Sequence, residues 1–97
     1  MAEHGELIGT EFQLKVWNTL KKIPSGEVWT YTQLAQFIGH PSSPRAVANA
    51  CGANPYPIVI PCHRVIRSDG SIGGYSGEGG VETKRRLLSE EGVTVGF

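Results

Sequence analysis

The sequence carries no surplus of positive charge. Nine Lys and Arg face nine Asp and Glu, so the formal net charge is zero. A broad, sequence-blind grip on polyanions rests on a basic excess, and composition does not predict that mode of binding here. No apolar run approaches the roughly 18 residues that a membrane-crossing helix needs, so no membrane partner is expected. The opening Met1-Ala2-Glu3-His4-Gly5-Glu6 is polar and acidic, unlike a secretion signal, and the expectation is an intracellular protein, cytoplasmic/nucleoid or nuclear. Cysteine is scarce. The two present, Cys51 and Cys62, form no Cys-x-x-Cys pair, which predicts free thiols and gives a structural zinc site little support. There is no internal repeat and no low-complexity tract. At 97 residues the chain reads as one domain over 1–97 with a single modest core, residues 1–9 being a flexible N-terminal segment.

Two stretches have the form of a helix start. Thr10-Glu11-Phe12-Gln13 and Thr30-Tyr31-Thr32-Gln33 both match the capping box, in which a threonine side chain and a glutamine side chain satisfy each other's backbone amides. After the first, Phe12, Val16, Trp17 and Leu20 recur at helical spacing until Pro24-Ser25-Gly26 stops the helix, and this stripe predicts core packing. Glu27-Val28-Trp29 is expected as a short strand before the second. Leu34, Ala35, Phe37 and Ile38 then carry a helix to Gly39, a good residue just past a C-terminus. A short link leads to Ser43 as N-cap, Pro44 at the first helical position, and a third helix through Cys51. Two short helices across a tight turn form a helix-turn-helix, which has two readings: a DNA reader, or two packed helices. The second helix is slim, with Ala46, Ala48 and Ala50, and Arg45 is its only charge. Such a helix can approach a groove closely and place one arginine in it.

Downstream, Ile58-Val59-Ile60 is an apolar run that ends at Pro61, followed by Cys62 and His63. Pro61 fixes its own φ and restricts Ile60, so the thiol is expected on a stiff turn. A thiolate is the reactive form of cysteine, and an adjacent imidazole is a candidate base. Val65-Ile66-Arg67 and Ser71-Ile72 flank Ser68-Asp69-Gly70, a favoured hairpin turn that would form a wing. Five glycines follow between Gly73 and Gly80, without a phosphate-loop pattern. A last helix is expected from Val81 to Glu90, with Val81, Leu87 and Leu88 inward and Lys84, Arg85 and Arg86 outward.

The Ile-Pro-Cys-His-Arg-Val string resembles the signature of the O6-alkylguanine-DNA alkyltransferases, and the likeness extends from about Phe12 to Gly92. It implies a mostly α fold with a short β-hairpin, a winged helix-turn-helix-like domain that binds duplex DNA through the minor groove. It also implies DNA repair by flipping an O6-alkylguanine, or O4-alkylthymine, and moving its alkyl group once, irreversibly, onto Cys62. By that resemblance His63 acts as base through a water, Glu91 orients His63, and Tyr31 gives a proton to the departing guanine. Glu90 is the competing candidate for the orienting acid. Arg45, Ala46, Ala48, Asn49 and Tyr31 would meet DNA, with Arg45 filling the gap left by the flipped nucleotide. Asn54 would tie the helix-turn-helix to the Cys62 turn, while Pro61, Val65, Tyr75 and Ser76 shape the pocket. Glu78 lengthens the pocket loop by about one or two residues against the family pattern and brings a carboxylate that would repel phosphate. No metal or organic cofactor is implied, and the protein is expected to act as a monomer. Only the reactive half of a typical member is covered, which leaves a companion domain missing or fused elsewhere. Trp17 and Trp29 are candidates for the surface it would cover.

Other cysteine chemistries fit less well. A zinc deaminase needs Pro-Cys-x-x-Cys, and Val65 stands at the second position. Cysteine hydrolases bring Cys and His together from distant parts of the chain. The alternative from a different class is an alkyltransferase-like protein that flips and flags the lesion without transfer. That group typically carries another residue where Cys62 stands, so the cysteine favours transfer.

Overall fold

The computed structural model describes residues 7–75 and 77–94; Ser76, and residues 1–6 of the expected N-terminal segment, lie outside the described residues. Both capping boxes form. Thr10 caps α1 (Glu11–Leu20) and Thr30 caps α2 (Tyr31–Phe37), each accepting from the amide three residues on while that glutamine returns the bond. Pro44 opens α3 (Pro44–Gly52), but Ser43 makes no side-chain cap bond. Pro44's own missing N–H lessens the need for one. The final helix, α4, runs Gly80–Glu90.

Val16, Trp17 and Leu20 of α1 meet Leu34 of α2 and Val47 of α3 in one buried cluster, and α3 packs on both other helices. Trp17 is only 2% exposed, so it does not belong to an uncovered surface. Its indole Nε1 donates to Ala50 O at 2.9 Å, a carbonyl near the C-terminus of α3 that also accepts from Ala53 N at 3.1 Å. Trp29 is half-buried and meets Phe37 edge to face at 5.2 Å, while Phe37 is 59% exposed rather than part of the core stripe.

The strand pairing differs from expectation. Trp29–Thr30 (β1) pairs in parallel with Val65–Ile66 (β2), register Trp29 with Val65, and Glu27 and Val28 stay outside the sheet. The Asp69-Gly70 turn is present, closed by Arg67 N to Ser71 O at 3.0 Å and braced by Asp69 Oδ1 accepting from Ser71 N and Oγ. That hairpin extends no ladder, because Val65 and Ile66 are committed to β1. Its neighbour is α2, through a Thr32–Ser68 hydroxyl contact of 2.5 Å. Helix-turn-helix and reactive turn are thereby joined through β1–β2, which fixes where the thiol stands relative to α3.

Candidate reactive site and nucleic-acid interface

Cys62 follows a tight reversal. Pro61 has φ −79° and ψ 68°, and Cys62 N donates to Ile60 O at 2.7 Å, which is an inverse γ-turn. A single 3-10 turn, Cys62–Arg64, leads from it into β2. Upstream, the apolar run folds back on itself. Ile60 N reaches back to Tyr56 O, Ile58 sits at φ +78°, and Ile58 and Val59 are more than half exposed. A β-branched residue rarely takes that backbone conformation. Asn54, buried, spans the turn: its Nδ2 donates to Ile60 O at 2.7 Å and its Oδ1 accepts from Tyr56 N at 2.9 Å.

Behind the thiol lies a chain of charged groups. His63 is 1% exposed and its Nε2 is 2.9 Å from Glu91 Oε2. Arg64 donates to both carboxylate oxygens, Nε to Oε1 at 3.0 Å and Nη2 to Oε2 at 2.7 Å, and spends Nη1 on Ile23 O at 2.7 Å. These bonds hold the Glu91 carboxyl down at about 2, the Arg64 bonds first, burial opposing and His63 helping. An ionised carboxylate only accepts, so His63 Nε2 must carry the proton. In a neutral ring that leaves Nδ1 bare, and Nδ1 is buried with no partner among the described residues. Glu91, the C-cap of α4, therefore points at His63, while Glu90 one residue earlier is exposed.

A depressed carboxylate stabilises the fold above its ordinary value near 4.5 and stops doing so as pH falls toward 2. Melting temperature is therefore expected to drop across that window, and Glu91→Gln, already less stable at neutral pH, should drop less steeply there. Parallel curves for the two proteins would mean that Glu91 is not held down.

The second surprise is Lys84. It is fully buried, not solvated, and its Nζ donates to Val65 O at 2.7 Å and Gly74 O at 3.0 Å, 5.9 Å from the Tyr31 ring centroid. Burial lowers its pKa to about 8. The carbonyl of Val65, a residue expected to shape the pocket, is thus engaged by an ammonium group. Burial also raises the Cys62 thiol, countered by Asn54 and by Lys84.

Cys62 opens on a cavity of about 350 Å³ lined by Tyr31, Ala48, Cys51, Gly74 and Tyr75 among others, within the range of small-ligand sites. Burial pushes Tyr31 up to about 12, with the two thiols adding to it, so its hydroxyl stays protonated at neutral pH. Burial also raises Tyr75. Glu78 does not line this cavity; it borders a separate one with Pro57 and Arg86. Arg45, Ala46 and Asn49 are exposed on one face of α3 and Ala48 is half-buried, while Val47 and Ala50 face the core. Sequence reasoning missed Arg64 and Lys84 as site residues. Arg64 was in view in the Cys-His-Arg string, and Lys84 lies one turn before Leu88 on the same helix face.

A helix-turn-helix with a slim exposed second helix beside a cavity that ends on a thiol defines the class: a DNA-binding domain built next to a buried cysteine. The sequence profile of the 6-O-methylguanine DNA methyltransferase, DNA binding domain, matches residues 11–93, and the chain belongs to that family. A methylated-DNA–protein-cysteine methyltransferase of Methanothermobacter thermautotrophicus is 51% identical over 86 residues, 89% of this chain and 47% of the relative. Mycobacterium tuberculosis OGT in complex with DNA superposes with a TM-score of 0.85 at 47% identity, covering 90% of this chain and 52% of that one. Schizosaccharomyces pombe Atl1, bound to damaged DNA containing O6-carboxymethylguanine, gives 0.75 at 38% identity and covers 90% and 81%. This chain thus spans about half the length of the methyltransferase relative. Among the described residues no helix is long and apolar enough to cross a membrane.

Proposed function

We infer that this chain repairs alkylated DNA inside the cell by taking one alkyl group from a flipped O6-alkylguanine onto Cys62. In this reading it is the reactive domain, a monomer on duplex DNA, and the rest of its longer relatives is a companion domain. The observation that carries the reading is the His63–Glu91–Arg64 chain, anchored by the buried His63, behind a thiol that ends a cavity of about 350 Å³. An alkylated base inside a duplex is out of reach of a buried thiol, so the nucleotide must leave the stack. Arg45, exposed on α3, fills the space it vacates, from the minor groove. Ala46, Ala48 and Asn49 let the helix lie close.

The chemistry is a displacement at carbon. The Cys62 proton passes through a water to His63 Nδ1, and Glu91 stabilises the imidazolium. A sulfur–carbon bond forms as the carbon–O6 bond breaks, Tyr31 gives a proton to the departing guanine, and solvent restores the Tyr31 proton while the His63 imidazolium releases the one taken from Cys62. Lys84 favours the thiolate against the burial that opposes it. The thioether has no leaving partner, so each chain reacts once.

Intact mass after incubation with excess O6-methylguanine duplex tests this. One methyl per chain, mapped to Cys62 and then no further gain, is expected. Tight lesion binding with no gain in fully reduced protein would overturn it. The lesion-flagging reading, favoured by the likeness to Atl1 over most of that chain's length, would then replace it.

A further inference from the structure

A neutral chain must gather positive charge locally if it is to hold a polyanion, and the cavities show where it does so. The thiol cavity adjoins a groove of about 370 Å³ lined by Thr32, Pro44, Arg45 and Ser68. Three residues line both: Tyr31, Ala48 and Arg67. Among the described residues, the only charged side chains along the two are Arg45 and Arg67, and no carboxylate borders either. Three other cavities each carry a glutamate: Glu27, Glu78 with Arg86, and Glu11 with Lys15. The thiol cavity and the groove beside it differ from these in carrying arginine without a carboxylate among the described residues.

We propose that Arg67 is an anion-binding residue at the mouth of the thiol cavity, holding the phosphodiester beside the extruded nucleotide while Arg45 occupies the stack. This rests on the base-flipping reading of the same cavity. Arg67 is exposed on the hairpin, and its guanidinium makes no hydrogen bond or ion pair among the described residues. Asp69, the acid beside it on the turn, spends Oδ1 on the Ser71 amide and hydroxyl and meets Arg67 as a nearby charge without a hydrogen bond between the two side chains. The arginine stem is held in place: at Gly73, φ +74°, a Cβ would lie 3.3 Å from Tyr31 Oη and 3.5 Å from Arg67 Cγ. Gly73 thus lets the hairpin bring Arg67 against Tyr31, between the groove and the thiol. A flipped nucleotide enters base first, so its flanking phosphate comes to rest at that mouth. A planar guanidinium with free donors matches two phosphate oxygens there.

Duplex affinity measured against salt decides the matter. Binding of an O6-methylguanine duplex is followed in the Cys62→Ser background, and alkyl uptake from free O6-benzylguanine base in the Cys62 protein. About three neutralised phosphates give a log–log slope near −2.7, and Arg67→Ala should bring it to about −1.8. The same lost charge weakens binding about eightfold at 0.1 M salt relative to its effect at 1 M. Arg67→Lys should keep the slope. Uptake from the free base, which has no phosphate, should fall far less than duplex binding in Arg67→Ala. An unaltered slope, or a free-base rate that falls in step with duplex binding, would overturn the proposal and make Arg67 a wall of the cavity. If the parent itself takes nothing from the free base, the slope alone decides Arg67, and the transfer reading of Cys62 is decided by the O6-methylguanine duplex.

Discussion

Cys62→Ser is expected to take up no alkyl group at all from an O6-methylguanine duplex while binding that duplex within a few-fold of the parent. A serine hydroxyl occupies nearly the same space but is a far weaker nucleophile at neutral pH. The demanding part of this result concerns Cys51, which lines the same cavity and is a thiol too. Burial pushes Cys51 up to about 12, the Cys62 charge adds to that, and only Lys84 opposes it. Cys62 has Asn54, Lys84 and a backbone bond all opposing its burial, and His63 beside it. Both thiols line the same cavity, and burial is opposed by more groups at Cys62 than at Cys51. Intact mass and peptide mapping check this, with melting temperature as the control for folding. A methyl found on Cys51 in Cys62→Ser would show that position in the cavity, not ionisation, selects the acceptor.

Features that depend on a few adjacent residues were legible in the sequence. The two capping boxes form because each needs only a threonine and a glutamine three positions apart. Gly39 takes the positive φ expected just past a helix end, and Gly92 does the same after α4. The stiff thiol turn followed from Pro61 alone, and the slim exposed face of α3 from its alanines. Glu91 facing His63 is different in kind: the two are 28 positions apart, and only the family likeness put the acid in view.

What was misread depends on the third dimension. Val65 and Ile66 could pair with the segment after Asp69-Gly70 or with a distant strand, and alternation cannot choose between them; β1 wins by burying Val65 completely. Lys84 was assigned to water because of its charge. Yet it precedes Leu88 by one turn and shares its face, so the spacing that carries Leu88 inward carries Lys84 too. A buried ammonium is tolerated only where acceptors wait for it, and Val65 O and Gly74 O come from segments that sequence alone does not bring together. Val81, on the same side but in the first turn, lies beyond the edge of the core and stays 38% exposed.

Replacing His63 by glutamine should slow alkyl uptake at pH 7 by about 10²-fold or more, the usual contribution of a positioned base. Glutamine keeps an N–H for Glu91, so the Glu91–Arg64 pair and lesion affinity should survive. The pH profile distinguishes loss of a base from loss of shape. Burial raises the Cys62 thiol, so without His63 the thiolate is scarce at neutral pH. Its fraction then grows about tenfold per pH unit until the thiol's own pKa is passed. Uptake by His63→Gln should therefore climb steeply toward high pH and narrow the gap to the parent, which has a base to accept the proton and depends less on pH there. Glu91→Gln should fall between the two, because it leaves the imidazole in place but removes the charge that stabilises its protonated form and leaves Arg64 without an anion. Single-turnover rates across pH 6 to 9, read beside lesion affinity, decide the case. A His63→Gln rate equally depressed at every pH would mean that the ring only shapes the cavity, and the proton from Cys62 would need another destination.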